Sequence, residues 1–265
     1  MPEPTEMKLT TWNVNSLTAR LPHVLEWLAA NPVDVLCLQE LKLTDDKFPL
    51  QTLADAGYPH CAVFGQKTYN GVAIISRTPL TDVARNIGGF EDEQSRVIAA
   101  TIDHPQHGPL RVINGYFVNG QEPGSEKFAY KMKWLEGLQA YVARELQRDP
   151  RLVLLGDFNI APEDRDSYDP VGLAGTIHHT REEREHFQAL LALGLVDGFR
   201  LFEHPEKTFS WWDYRMLGFQ KNRGLRIDHI LVSEALRPAV TACIIDRTPR
   251  KWKQPSDHAP VTIEL

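Results

Sequence analysis

Apolar residues along this chain fall into two rhythms. Short apolar runs of strand length alternate with segments in which apolar positions return every three or four residues. Residues 9–14 read as a strand. Residues 18–30 have helical spacing at Leu21, Val24, Leu25 and Leu28, and Asn31-Pro32 ends that helix. Residues 34–38 form an apolar run of buried-strand length, and further strands are predicted over 71–76, 96–102 and 110–117. Residues 127–146 predict a long amphipathic helix with Phe128, Met132, Leu135, Leu138 and Val142 on one stripe. A buried strand over 152–155 follows, then a helix over 181–193 stopped by Gly194. Late strands are predicted over 226–232, 241–245 and 260–265.

Between residues 71 and 117 strands follow one another with no room for a helix, which argues against a purely parallel sheet. The expected fold is α/β, two packed mixed sheets with helices outside. The chain shows no internal repeat, low-complexity tract or linker, so residues 7–265 are expected to form a single domain behind a mobile leader, 1–6. A length of 265 residues with 42% hydrophobic and 24% charged side chains supports a sizeable core. No apolar run reaches the roughly 18 residues of a membrane span, and the opening MPEPTEM lacks the pattern of a signal peptide.

The three cysteines, Cys37, Cys61 and Cys243, make no CxxC pair, and their odd number speaks against a disulfide framework. That usage suits a reducing cytoplasm. Cys37, inside an apolar run, reads as a small hydrophobe. A formal net charge of −6 is unfavourable for binding a polyanion. A bound divalent cation would offset it locally. So would the cluster Arg247, Arg250, Lys251 and Lys253, which also reads simply as a solvated loop.

Polar residues recur at strand ends. Asn13 and Asn15 follow the first strand, Gln39-Glu40 end the second, and Tyr116 and Asn119 end a middle one. Gly156-Asp157-Phe158-Asn159 ends another, Asp228 interrupts an apolar run, and Ser256-Asp257-His258 introduces the last strand. Asp-Phe-Asn alone could be a turn, and Glu40 could mark where a strand meets water. Asp228 is harder to dismiss, because a buried charge needs a partner, and His258 offers one. If these ends meet at one rim, carboxylates, amides, a phenol and an imidazole come together.

In this order the residues resemble the exonuclease III family of DNA repair nucleases, within the endonuclease–exonuclease–phosphatase superfamily. The resemblance runs from Met7 to Leu265. It is carried by Thr11-Trp12-Asn13-Val14-Asn15, Leu38-Gln39-Glu40, Tyr69-Asn70-Gly71-Val72-Ala73, Gly156-Asp157-Phe158-Asn159 and Ser256-Asp257-His258-Ala259-Pro260-Val261. The run from Asn222 to Asp228, with Phe209 to Arg215 before it, points to the DNA-repair branch.

The resemblance implies a four-layered α/β sandwich with one metal-dependent site acting on double-stranded DNA with 3′ ends, nicks or abasic sites. It implies Glu40 as the main magnesium ligand, with Asn15 and Asp257 in direct or water-mediated contact, and manganese as a substitute ion. A small hard cation with few carboxylates and retained waters fits that set. By the same resemblance Asp157 positions or deprotonates the attacking water, Asn13 orients Asp157, and Asn159 contacts the phosphate. His258 faces the phosphoryl oxygens, held by Asp228, and Tyr116 lies near the phosphate or leaving group. Arg96 and Gln121 are candidates for the DNA backbone. Trp211, Leu225 and Ile227 match positions that wall the pocket for an extruded abasic sugar, although core packing alone would also explain them. A monomer is expected.

One departure stands out. Just before Arg181 many relatives have a small residue followed by an aromatic or apolar one, and this chain has His178-His179. In the small residue's place His178 would crowd DNA or stack against an end, although it also reads as an exposed loop residue. The expectation is 3′→5′ exonuclease and 3′-end processing with weakened abasic-site incision, the alternative being a full abasic-site endonuclease. Relatives with the same core hydrolyse inositol phosphates or lipids, but the 222–228 run and Trp211-Trp212 favour DNA repair. A non-catalytic DNA-end binder would predict loss of Glu40, Asp157 or His258, and all three are present.

Overall fold

A computed structural model describes residues 6–265. The expected leader lies outside the described residues, apart from Glu6, which is exposed. The first six-stranded sheet is ordered β13 (Ala242–Ile245), β14 (Val261–Glu264), β1 (Lys8–Asn13), β2 (Val35–Gln39), β4 (Val72–Ser76), β3 (His60–Phe64). The second is ordered β5 (Thr81–Arg85), β6 (Val97–His104), β7 (Gly108–Tyr116), β8 (Leu152–Asp157), β12 (Asp228–Ser233), β9 (Leu195–Asp197). A two-stranded ribbon pairs β10 (Trp211–Trp212) with β11 (Gly224–Leu225). Each large sheet has one parallel pair, β1/β2 or β7/β8, and is otherwise antiparallel. The parallel pairs need long crossovers. These are α1 (Leu17–Ala30) and α3 (Glu126–Arg148), each started by a serine whose Oγ accepts from a first-turn amide: Ser16 from Ala19 at 3.3 Å and Ser125 from Phe128 at 3.1 Å. A short α2 (Leu50–Asp55) and α4 (Arg181–Ala192) complete the α-helices of the described residues.

Strand alternation builds the layers even where every residue is apolar. On β2, Val35 and Cys37 face the second sheet, while Leu36 and Leu38 pack with Trp12, Val24 and Leu28 under α1. On β8, Val153 and Leu155 face inward, while Leu152 and Leu154 pack with Trp134, Leu138 and Phe187 of α3 and α4. The result is four layers, helix–sheet–sheet–helix, as expected from the sequence. A polar bridge crosses the inner core. Gln39 Nε2 donates to Thr11 Oγ1 at 2.9 Å and Asn114 Oδ1 at 2.8 Å, and Asn114 Nδ2 donates to the carbonyls of Leu38 and Ala73. It ties the sheets together directly beneath the rim where β1, β2, β7 and β8 end.

The long apolar strands and helices fall where the pattern put them, within two residues at most ends. The strand expected over 226–232 starts later, at Asp228, because the Arg226 amide donates to Asp166 and the Ile227 carbonyl accepts from Phe158. β3, β5, β9, β10, β11 and α2 were not anticipated. β5 is mostly exposed and β9 to β11 are two or three residues long, so their form depends on neighbours rather than on their own pattern.

Candidate active site

Strand register delivers the polar groups to one place. Asn13 on β1 lies opposite Gln39 on β2, so Asn15 and Glu40 follow at the same edge. Asp157 on β8 lies opposite both Tyr116 on β7 and Asp228 on β12. Gly156 permits this arrangement. Its φ is +146°, and a Cβ there would stand 1.9 Å from the Gly115 carbonyl oxygen. Asn13 and Tyr116 then join the two sheets. Asn13 Nδ2 donates to Asp157 Oδ2 at 2.9 Å and to Glu40 Oε1 at 3.4 Å, and the Tyr116 hydroxyl donates to Glu40 Oε1 at 2.5 Å.

Asp157, Asp228 and His258 form a buried group. His258 Nδ1 donates to Asp228 Oδ2 at 2.9 Å, and His258 Nε2 stands 3.6 Å from Asp157 Oδ2. Burial pulls the imidazole pKa down, but the carboxylates of Asp228, Asp157 and Asp257 together overcome it and raise it to about 10. His258 is therefore an imidazolium at neutral pH. Burial pushes Asp157 up to about 7 against the pull of that imidazolium, and the Asp228 charge adds to the rise. A carboxyl poised there suits a proton acceptor working near neutrality. Burial first, then the Glu40 and Asp157 charges, hold the Tyr116 phenol well above its ordinary value, so it remains a neutral donor. Asn159 has left-handed backbone (φ 51°). Its amide donates to Asp157 Oδ1 at 3.0 Å and its Nδ2 to the Phe117 carbonyl at 3.0 Å.

Glu40 is also left-handed (φ 52°), braced by the Ser16 amide on its carbonyl at 2.8 Å. Its Oε2 lies 3.3 Å from Lys42 Nζ, which donates to Asn15 Oδ1 at 2.7 Å. Asn15 Nδ2 donates to Asp257 Oδ1 at 3.1 Å, and Trp211 Nε1 donates to Asp257 Oδ2 at 2.9 Å. Two oxygens from different segments thus converge on one cationic group, a donor set that fits a small hard cation. The ligand atoms of Asp157, Asp228 and His258 lie within 4.8 Å of one another and could also hold a metal. The imidazolium weighs against that position, because a metal requires the neutral ring.

Trp211, Leu225 and His178 line a cleft of about 430 Å³, together with Tyr168 and Ile177. Ile227, expected on that wall, does not line the cleft. It is buried with Ala161 and Leu225 in an apolar cluster against which Trp211 and Tyr168 pack. His178 is not an exposed loop residue. It is 8% exposed with φ 70°, and its Nδ1 donates to the Asn159 carbonyl at 2.7 Å. Burial and the nearby Lys131 charge lower its pKa to about 3, so the ring is neutral. Arg96 is buried, donating to Gln94 Oε1 at 2.8 Å and to the Tyr116 carbonyl at 3.2 Å, and it lines a second cleft of about 350 Å³ with Gln121, Tyr69 and Lys127.

The basic cluster near the C-terminus is not simply solvated. Arg250 is buried over the rings of Trp212, Tyr214 and Phe219, and Arg247 lies over Trp212 and Phe219, leaving Lys251 and Lys253 exposed. Sequence reasoning missed Lys42, Lys131 and Ser210. Lys131 could have been found, since it interrupts the apolar stripe of α3 between Phe128 and Leu135. Lys42 and Ser210 left no such signal.

A two-sheet sandwich with this acid–imidazolium group and cation niche at one rim defines a class. Residues 10–258 match the endonuclease/exonuclease/phosphatase family, and the chain belongs to that family. Exodeoxyribonuclease III of Haemophilus influenzae is 38% identical over 98% of this chain and 100% of its own length. The solved structure of the 3′ phosphatase NExo from Neisseria, bound to a product DNA hairpin, superposes with a TM-score of 0.94 at 50% identity, covering 98% of this chain and 99% of that one. An AP endonuclease from Archaeoglobus fulgidus superposes with a TM-score of 0.91 at 35% identity, covering 97% and 98%.

Proposed function

We propose that this exonuclease III-type DNA repair nuclease works chiefly at 3′ ends of double-stranded DNA as a magnesium-dependent phosphodiesterase, with incision at internal abasic sites restrained by His178. The observation that carries this reading is the placement of His178: buried, left-handed, anchored to Asn159, and on the wall of the cleft beside Trp211 and Leu225. Asp157 orients the attacking water and accepts its proton, and Asn13 and the Asn159 amide hold that carboxyl in place. His258, protonated and seated on Asp228, donates from Nε2 to the phosphoryl oxygens as negative charge develops. Asn159 contacts the phosphate, and Tyr116, a neutral donor on Glu40, lies near the phosphate or leaving group. Glu40 would hold magnesium, with Asn15 and Asp257 in direct or water-mediated contact, and manganese would substitute. Bound there, the ion supplies charge neutralisation and polarisation at the phosphate. Arg96 and Gln121 follow the DNA backbone along the second cleft.

We further take residues 7–265 to act as one catalytic domain, as a monomer, in the cytoplasm. Cys37, Cys61 and Cys243 are free, and no helix of the described residues is long and apolar enough to cross a membrane. The second reading, a full abasic-site endonuclease, is favoured by the Trp211–Leu225 wall and by the likeness to an AP endonuclease. One gel assay separates the two. Purified protein is offered an abasic duplex, a recessed 3′ end and a 3′-phosphate end, each with magnesium or with EDTA. The proposal expects magnesium-dependent loss of both 3′ substrates and slow cutting of the abasic duplex. Abasic incision as fast as 3′ resection would select the second reading, and full activity in EDTA would remove the metal from both.

A further inference from the structure

Ser210, immediately before β10, has no exposed surface. Its amide donates to the Leu225 carbonyl at 3.0 Å, and its carbonyl accepts from the Ala259 amide at 2.7 Å. It is therefore stitched between the segment that leads into Asp228 and the segment that carries His258. Its Oγ lies 3.1 Å from the amide nitrogens of both Ile227 and Asp228, and 2.7 Å from Asp228 Oδ2. A hydroxyl has one proton and two lone pairs. Both amides can only donate, so they take both lone pairs. The hydroxyl proton is then left for Asp228 Oδ2.

We propose that Ser210 is a positioning residue for the hydrolytic reaction: by donating to Asp228 Oδ2 it locks that carboxyl group onto His258 Nδ1 and so fixes the direction of the imidazole. Without the hydroxyl, the Ile227 and Asp228 amides lose this acceptor and compete for the Asp228 carboxylate, turning it away from the ring. The buried site offers the carboxylate no solvent to correct this. The role rests on the reading of Asp228 and His258 as a catalytic pair.

The test is a double-mutant cycle on a recessed 3′ end. Ser210→Ala should lower kcat by about ten- to a hundredfold, the span of one charge-assisted hydrogen bond, with KM for DNA and the magnesium requirement unchanged. Ser210→Thr, which keeps a hydroxyl, should recover most of the loss. In an Asp228→Asn background, Ser210→Ala should cost no more than about twofold further. A serine that merely packs would lower kcat by the same factor in both backgrounds and would not be rescued by threonine, and that result overturns the proposal. If Ser210→Ala does not fold, Ser210→Cys keeps the volume with a weak donor and takes its place in the cycle. Asp228→Asn as active as the unaltered enzyme would remove the catalytic pair and this role with it. Multiplicative losses would remove the Ser210 role alone.

Discussion

Glu40 sits in a left-handed backbone conformation that costs an L-residue roughly 1 to 2 kcal/mol. Strain of this kind persists only where the surroundings enforce it, and here the Ser16 amide and the strand ends on either side do so. The carboxylate is left touching Tyr116, Asn13 and Lys42, three donors and no second acid. Glu40→Gln keeps the shape and removes the charge. It should raise the magnesium concentration for half-maximal rate by about tenfold or more, the effect of losing one or more units of 1.4 kcal/mol in binding. Full activity of Glu40→Gln at low micromolar magnesium would contradict the assignment. On the proposed roles the buried acid and imidazole would set the pH dependence. As the base Asp157 would work when ionised, so kcat/KM should climb as pH rises through about 7. His258 works when protonated, so kcat/KM should fall as pH rises through about 10. A pH–rate profile on a 3′-recessed duplex measures both limbs, and a rate independent of pH between 5 and 8 would exclude Asp157 as the base.

The long helix α3 acts on the site at a distance through one residue. Lys131 is fully buried, with Nζ donating to the carbonyls of Asn119 at 3.1 Å and Asn159 at 2.8 Å and pairing with Glu183 of α4. It thereby holds the Asn159 loop, the Asn119 loop and the start of α4 in one arrangement. Removing one partner of a buried pair strands the other, at a cost of about 3 to 5 kcal/mol. Lys131→Met should lower the unfolding free energy by that amount, read as a lower urea midpoint, and adding Glu183→Leu should restore part of it. A Lys131→Met protein as stable as the original would show that the pair contributes nothing. This element also shows where the sequence was readable and where it was not. Central strands and long helices were legible because their apolar positions repeat with a fixed period. Edge strand β5 and the ribbon β10/β11 were not, because exposed or two-residue strands owe their form to partners. Asp157, Asp228, Glu40 and His258 stood out as polar groups breaking or ending apolar runs. Ser210 and Lys42 did not, since each is brought to the site by a register and a backbone turn that only the folded chain creates.

Over the whole molecule, a formal charge of −6 must be reconciled with a polyanionic substrate. On the proposed function the two clefts would do this by local geometry rather than by net charge. Cationic side chains line them, Lys127 and Arg96 on one and Arg223 on the other, where Arg215 is paired with Asp213 of the same wall. His178 stands on the wall of the larger cleft, with Nδ1 fixed on the Asn159 carbonyl and its ring kept neutral by burial. An internal abasic site requires duplex to continue on both sides of the cut, so on the proposed reading the His178 ring would hinder it. A 3′ terminus makes no such demand, since nothing continues past the cut. His178→Gly is a clean probe, because glycine accepts φ 70° without strain and Lys131 still binds the Asn159 carbonyl. It should raise incision of an abasic duplex by about tenfold or more while resection of a recessed 3′ end changes by less than about threefold, a selectivity of about 0.7 kcal/mol or more in the transition state. Both rates measured side by side decide it. If the two move together, or if the unaltered enzyme already incises the abasic duplex as fast as it resects, the imidazole is not a gate, and the cleft admits internal sites as it stands.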